Sequence, residues 1–81
     1  MKNIEEQIWT ADPVKVAVEL FRGSEDNRRL WGWYCRRLGR EAFRELVYRK
    51  WRENEAEGQP RNPPAAFQAV LCTCLPKSAP A

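Results

Sequence analysis

The chain has 81 residues, 43% hydrophobic and 31% charged, with a formal net charge of +3, three cysteines and no histidine. That length suits a single domain burying roughly 60% of its unfolded surface, and no apolar run approaches the ~18 residues that a membrane-spanning helix needs. The opening MKNIEEQIWT carries two glutamates and no apolar stretch of the kind a secretory signal requires, so a cytoplasmic location is expected.

The missing histidine removes the commonest general base and the usual pH switch. No serine stands in a nucleophile-elbow context, no glycine-rich phosphate loop is present, and no pair of carboxylates is isolated among apolar residues. No enzymatic activity, catalytic residue or cofactor is expected. Cys35, Cys72 and Cys74 are odd in number and lack the histidine that would complete a four-ligand zinc site. They are expected to pack as small apolar residues in helices, with no metal.

In chain order, Asn3 to Trp9 places Ile4, Ile8 and, less neatly, Trp9 at helical spacing, fitting either a short first helix or a cover over the core. Asp12-Pro13 reads as an N-cap followed by proline at the first helical position. The alternation of Val14, Val16 and Val18 would suit a strand, but a lone strand has no partner, so a helix is expected over 13–22, stopped by a left-handed Gly23. Ser24 caps the next helix, with Glu25 and Asp26 in its first turn, and that helix is expected to run to Leu38. Gly32 inside it costs about 1 kcal/mol relative to alanine, which the close approach of another helix would explain. Gly39 ends it.

Residues 40–56 form the longest expected helix, with Phe43, Leu46, Val47 and Trp51 in one stripe and with i,i+4 pairs Glu45–Arg49 and Arg49–Glu53. Three glutamates near its C-terminus oppose the helix dipole and predict fraying, and Gly58-Gln59-Pro60 breaks the chain. The last helix starts on Asn62-Pro63, carries Phe67, Val70, Leu71 and Cys74 on its apolar face, and is expected to stop at Pro76 before a disordered tail, 76–81.

Positive charge is concentrated in the middle. Residues 22–52 hold ten basic residues against four acids, whereas the flanking segments are each net acidic. The stretch Arg28 to Arg52 contains three of the four tryptophans and both tyrosines. On a wheel of 100° per residue, Leu30, Trp31, Tyr34, Cys35 and Leu38 share one side of its first helix and Arg28, Arg29 and Arg36 the other. Trp33 lies at the border beside Arg29, Arg36 and Arg37: either a boundary tryptophan shielded by arginines, or a stacking platform for unpaired bases with cations aimed at phosphates. Arg40, Arg44 and Tyr48 line one edge of the following helix, diluted by Glu41 and Glu45. A helix-turn-helix reading would make that helix the recognition helix, presenting Arg40, Glu41, Arg44 and Glu45.

The closing segment Arg61-Asn-Pro-Pro-Ala-Ala-Phe-Gln-Ala-Val-Leu, after Gly58-Gln59-Pro60, resembles the Asn-Pro-Ala-Ala-Tyr-Leu type of helix near the ends of helical domains in bacterial and plasmid replication-initiation proteins. The likeness covers residues 58–71. It departs at Pro64, where a small residue is common, and at Phe67-Gln68, where Tyr-Leu is common. The resemblance implies a bacterial, replication- or DNA-associated context and carries over no functional residues.

The sequence thus predicts an all-α fold, a single domain over 1–75: a compact bundle of four helices, with an additional short N-terminal helix left open. Its expected core is Leu20, Phe21, Leu30, Trp31, Tyr34, Leu38, Phe43, Leu46, Val47, Trp51, Phe67, Val70 and Leu71. The expected function is nucleic-acid binding, mainly to phosphates, through Arg28, Arg29, Trp33, Arg36, Arg37, Arg40 and Arg44. The alternative is a protein-interaction module that binds a protein partner or forms a homodimer. Membrane-surface binding is disfavoured by Glu41 and Glu45 within the basic surface.

Overall fold

Four helices begin on a side chain that accepts a hydrogen bond from the first turn, which accounts for where they start. The computed structural model describes residues 3–74, and these are all-helical: α1 (Ile4–Thr10), α2 (Pro13–Leu20), α3 (Glu25–Leu38), α4 (Arg40–Glu57) and α5 (Pro63–Cys74), with no strand among the described residues. Asn3 accepts from Glu6 N–H at 2.7 Å, Asp12 from Val14 N–H at 3.0 Å and Asn62 from Ala65 N–H at 3.4 Å. At α3 the cap is reciprocal: Ser24 Oγ accepts from Asn27 N–H at 3.3 Å, and Asn27 Oδ1 accepts from Ser24 N–H at 2.9 Å. The N-terminal segment is therefore a helix, and the valine alternation of α2 is overridden by its cap. The expected stop at Pro76 and the tail 76–81 lie outside the described residues.

α4 starts without a side-chain cap. Gly39 alone joins it to α3, its N–H donating to Cys35 O at 2.9 Å and its carbonyl accepting from Phe43 N–H at 3.0 Å. Its φ of +98° is a conformation that residues with a Cβ rarely adopt. At the far end α4 runs to Glu57, one residue past the expected boundary, and closes with Gly58 N–H on Asn54 O at 2.8 Å. The expected i,i+4 pairs of α4 do not form. Its ion pairs among the described residues are Glu41–Arg44 and Lys50–Glu53, both at i,i+3.

The stop of α2 also differs from expectation. Arg22, not Gly23, takes the left-handed conformation, with φ of 53°, and Gly23 N–H reaches back to Val18 O at 2.9 Å in the six-to-one bond of a Schellman turn. Gly23 is needed for space: a Cβ there would lie 2.9 Å from Trp31 Cζ3. Gly32 reverses that logic. Its expected close helix neighbour is absent, and the nearest atom to an added Cβ would be Arg36 Nη1 at 3.7 Å.

The core gathers on Phe67 of α5. Its ring stacks on Phe21 at 4.6 Å and meets Trp31 and Phe43 edge-on at 5.0 and 5.7 Å between centroids. Tyr34, Val47 and Leu71 complete the fully buried set expected from the pattern, joined by Ile8, Val16 and Ala17, which the pattern did not single out. Leu20, Leu30, Leu38, Leu46 and Trp51 are only half-buried against this core, and Val70 is likewise half-buried. The polar ends of the buried aromatics are satisfied by α5: Trp31 Nε1–H donates to Gln68 Oε1 at 2.9 Å, and the Tyr34 hydroxyl lies 3.3 Å from Cys72 Sγ. Among the described residues, no buried side-chain nitrogen or oxygen lacks a hydrogen-bond partner. None of the helices described is long and apolar enough to cross a membrane.

Candidate functional site

Burying Trp31 and Tyr34 against α5 fixes the rotation of α3. Two turns of arginines then face outward: Arg28, Arg29, Arg36 and Arg37 are all exposed, as is Arg40 just beyond Gly39. Trp33 is half-buried between them. The Arg37 guanidinium sits over its ring at 5.0 Å, and Tyr34 meets it edge-on at 5.0 Å, so the indole is held from two sides.

Two depressions flank this row. A polar groove of about 510 Å³ runs between the start of α2 and α3, walled by Lys15, Arg28, Arg29 and Arg36, with Gly32 and Cys35 between them. Its acids are engaged: Asp12 caps α2, and Glu25 pairs with Arg28 at 3.5 Å. A shallower recess of about 630 Å³ lies on α3 itself, lined by Leu30 and Trp33 and edged by Asp26, Arg29 and Arg36. Arg29 and Arg36 belong to both, so they form the ridge between the recess and the groove.

Arg44 leaves the expected site. Its side chain is buried, at 8% exposure, because it closes the C-terminus of α1. Nε donates to Ile8 O at 3.0 Å, Nη2 to Ala11 O at 3.2 Å and Nη1 to Glu41 at 2.6 Å. Helix α1 has no basic residue in its own last turn, and Arg44 supplies the missing cation and donors. The recognition surface of a helix-turn-helix reading loses its central arginine for the same reason, and a single glycine replaces the usual turn of three or four residues. The signal was present in the spacing: Arg44 stands three, four and seven residues before Val47, Tyr48 and Trp51, inside an apolar stripe.

The cysteines divide. Cys35 and Cys72 are half-buried, whereas Cys74 is exposed, contrary to the expectation that all three pack inside. Burial pushes the Cys35 thiol up, helped by the Asp12 charge and opposed by Arg40, Arg44 and Arg36. It therefore remains a thiol at neutral pH and adds no negative charge to the groove.

A second surface escaped the pattern. Trp9 and Ile4 on α1 are 42% and 41% exposed, and the Trp9 ring lies 5.2 Å from that of Tyr48, which is in turn 5.9 Å from Trp51. Arg52 lies over Tyr48 at 6.0 Å, and the tyrosine hydroxyl donates to Glu5 at 3.2 Å. Helix α1 carries too few turns for its exposed face to be read from periodicity alone.

Comparison with models of known protein families, with curated protein sequences and with solved structures finds no match. The likeness of residues 58–71 to replication-initiation proteins rests on those residues alone.

Proposed function

We propose that the chain is a small nucleic-acid-associated binding domain, not an enzyme, whose contacts are mainly to phosphates through the outer face of α3. The observation that carries this reading is the row of Arg28, Arg29, Arg36 and Arg37 on two exposed turns, with Arg40 beyond it and Lys15 across the groove. Guanidinium groups are suited to phosphate oxygens because their fork of N–H donors matches the anion's geometry. In this reading α2 to α5 act as a four-helix bundle presenting α3, and α1 is strapped to it by Arg44. The resemblance of residues 58–71 favours DNA and a replication context in the bacterial cytoplasm.

The test is fluorescence anisotropy with labelled oligonucleotides at low and moderate salt. Four or five phosphate contacts give an expected slope of log affinity against log salt of about −3 to −4. Gly32→Glu is the sharpest variant: it sets a carboxylate in the groove at a position where a Cβ meets no clash. It is expected to fold at least as well as the parent and to lose most binding. Arg52→Gln makes the same change in net charge on α4 and is expected to bind normally. Absence of binding at low salt would remove the proposal.

A second reading is supported by Trp9 and Ile4, whose exposure beside Tyr48 suits a protein partner or a second copy of the chain. Sedimentation of the parent and of Trp9→Ser distinguishes it: a concentration-dependent dimer lost in the variant would support self-association.

A further inference from the structure

Resting on the phosphate-binding reading, we infer that the ligand is an unpaired strand: one base stacks in the recess at Leu30 and Trp33, and its phosphate crosses the Arg29–Arg36 ridge toward the groove at Gly32.

Three observations carry this. A surface that met only phosphates would need cations alone, yet here an apolar recess with an indole wall opens between the arginines. That indole is half-buried and already packed against Arg37 and against the perpendicular ring of buried Tyr34, so a base stacking on it meets a partly prepared surface. Paired bases are stacked inside a duplex and cannot enter such a recess, whereas a single strand offers its base faces directly.

Gly32 is the second observation. A glycine in a helix interior costs stability, and nothing in the fold requires this one: no backbone approaches it, and its φ is not positive. It lies in the groove wall next to Arg36, where any side chain would narrow the path of a strand leaving the ridge. A need for ligand access accounts for the cost.

The acids give the third. Asp26 stands at the rim of the recess, where it repels a phosphate but can accept from the amino group of a base. In the groove, Lys15, Arg28, Arg29 and Arg36 outnumber Asp12 and Glu25, so the field there is positive. The base therefore belongs on the Trp33 side and the phosphate on the Gly32 side.

The experiment compares one labelled 12-nucleotide strand, its blunt duplex and an abasic strand of equal length, all at the same low ionic strength, on the parent chain and on Trp33→Ala and Trp33→Phe. The single strand is expected to bind the parent at least about tenfold more tightly than either the duplex or the abasic strand, since stacking of even one base can supply that factor. Trp33→Ala should bring the single strand down to the level of the duplex while leaving the duplex unchanged, and Trp33→Phe should keep most of the preference. The abasic probe reads the same quantity on the unmodified chain, so the result does not depend on how well a variant folds. Equal binding of all three probes by the parent, or an equal loss for strand and duplex in Trp33→Ala, overturns the unpaired-base inference and leaves phosphate binding standing. No binding of any probe removes both.

Discussion

The chain uses arginine in two places and does opposite things with it. At the α1–α4 seam, Arg44 lies beneath the surface with its donors directed at two backbone carbonyls and Glu41. On α3, Arg28, Arg29, Arg36 and Arg37 stand in water, and the contacts they make, Arg28 to Glu25 and Arg37 to the Trp33 indole, are weak and exposed. Buried, a guanidinium is expensive to remove because its partners are stranded; exposed, it is nearly neutral to stability and free to meet a ligand. The two regions show that charge alone does not distinguish a buried, structural arginine from an exposed one. The rotation of the helix that carries it does.

The largest effect should come from breaking the seam. Arg44→Ala leaves the carbonyls of Ile8 and Ala11 without donors and is expected to cost about 3 kcal/mol in urea unfolding, with amide exchange rising first in α1. Next in size, the glycines sharpen the contrast. Gly23→Ala should cost about 2 kcal/mol, because its Cβ would press on the Trp31 ring in a closed core. Gly32→Ala should instead raise stability by about 0.5–1 kcal/mol, having only open space and Arg36 as neighbours. A destabilised Gly32→Ala would contradict the claim that the fold itself has no use for that glycine.

A further difference should emerge at alkaline pH. The hydrogen bond with Cys72, followed by burial and the Cys72 charge, pushes the Tyr34 pKa from 10.0 up to about 12. Between those values the folded chain keeps a proton that the unfolded chain releases, so stability present below about pH 10 is lost as pH rises toward about 12. Denaturation midpoints should fall across that window, and less steeply in Tyr34→Phe. The smallest effect is expected for Arg36→Gln, within about 0.5 kcal/mol of the parent in stability, while oligonucleotide affinity drops.

Much of the fold was legible because the cues were local. Asp12-Pro13, Ser24, Gly39 and Asn62 mark helix ends through groups within a few residues of themselves, and the structure uses each one. The aromatic core was legible from spacing at Trp31, Tyr34, Phe43 and Phe67. Depth was harder: a wheel shows that Leu20, Leu38 and Trp51 point inward, but not that a small domain has too few neighbours to cover them fully. Ile8, Val16 and Ala17 were missed because α1 is short and the valines of α2 also alternate like a strand. Arg22 and Gly23 exchange roles because the need at Gly23 comes from Trp31, eight residues away and not encoded in the turn itself. The candidate site was legible in its arginines, while the fixing of Trp33 and the emptiness at Gly32 are products of packing.

The clasp of Arg44 on α1 also orders events in time. A helix of seven residues does not persist alone in water, and its closing donors lie 36 and 33 residues further along the chain. During synthesis α1 therefore emerges before the arginine that closes it, and it is expected to be among the last of the described helices to become native. The single-residue hairpin of α3 and α4 gathers its contacts over short sequence distances, so α1 is expected to settle after that platform has formed.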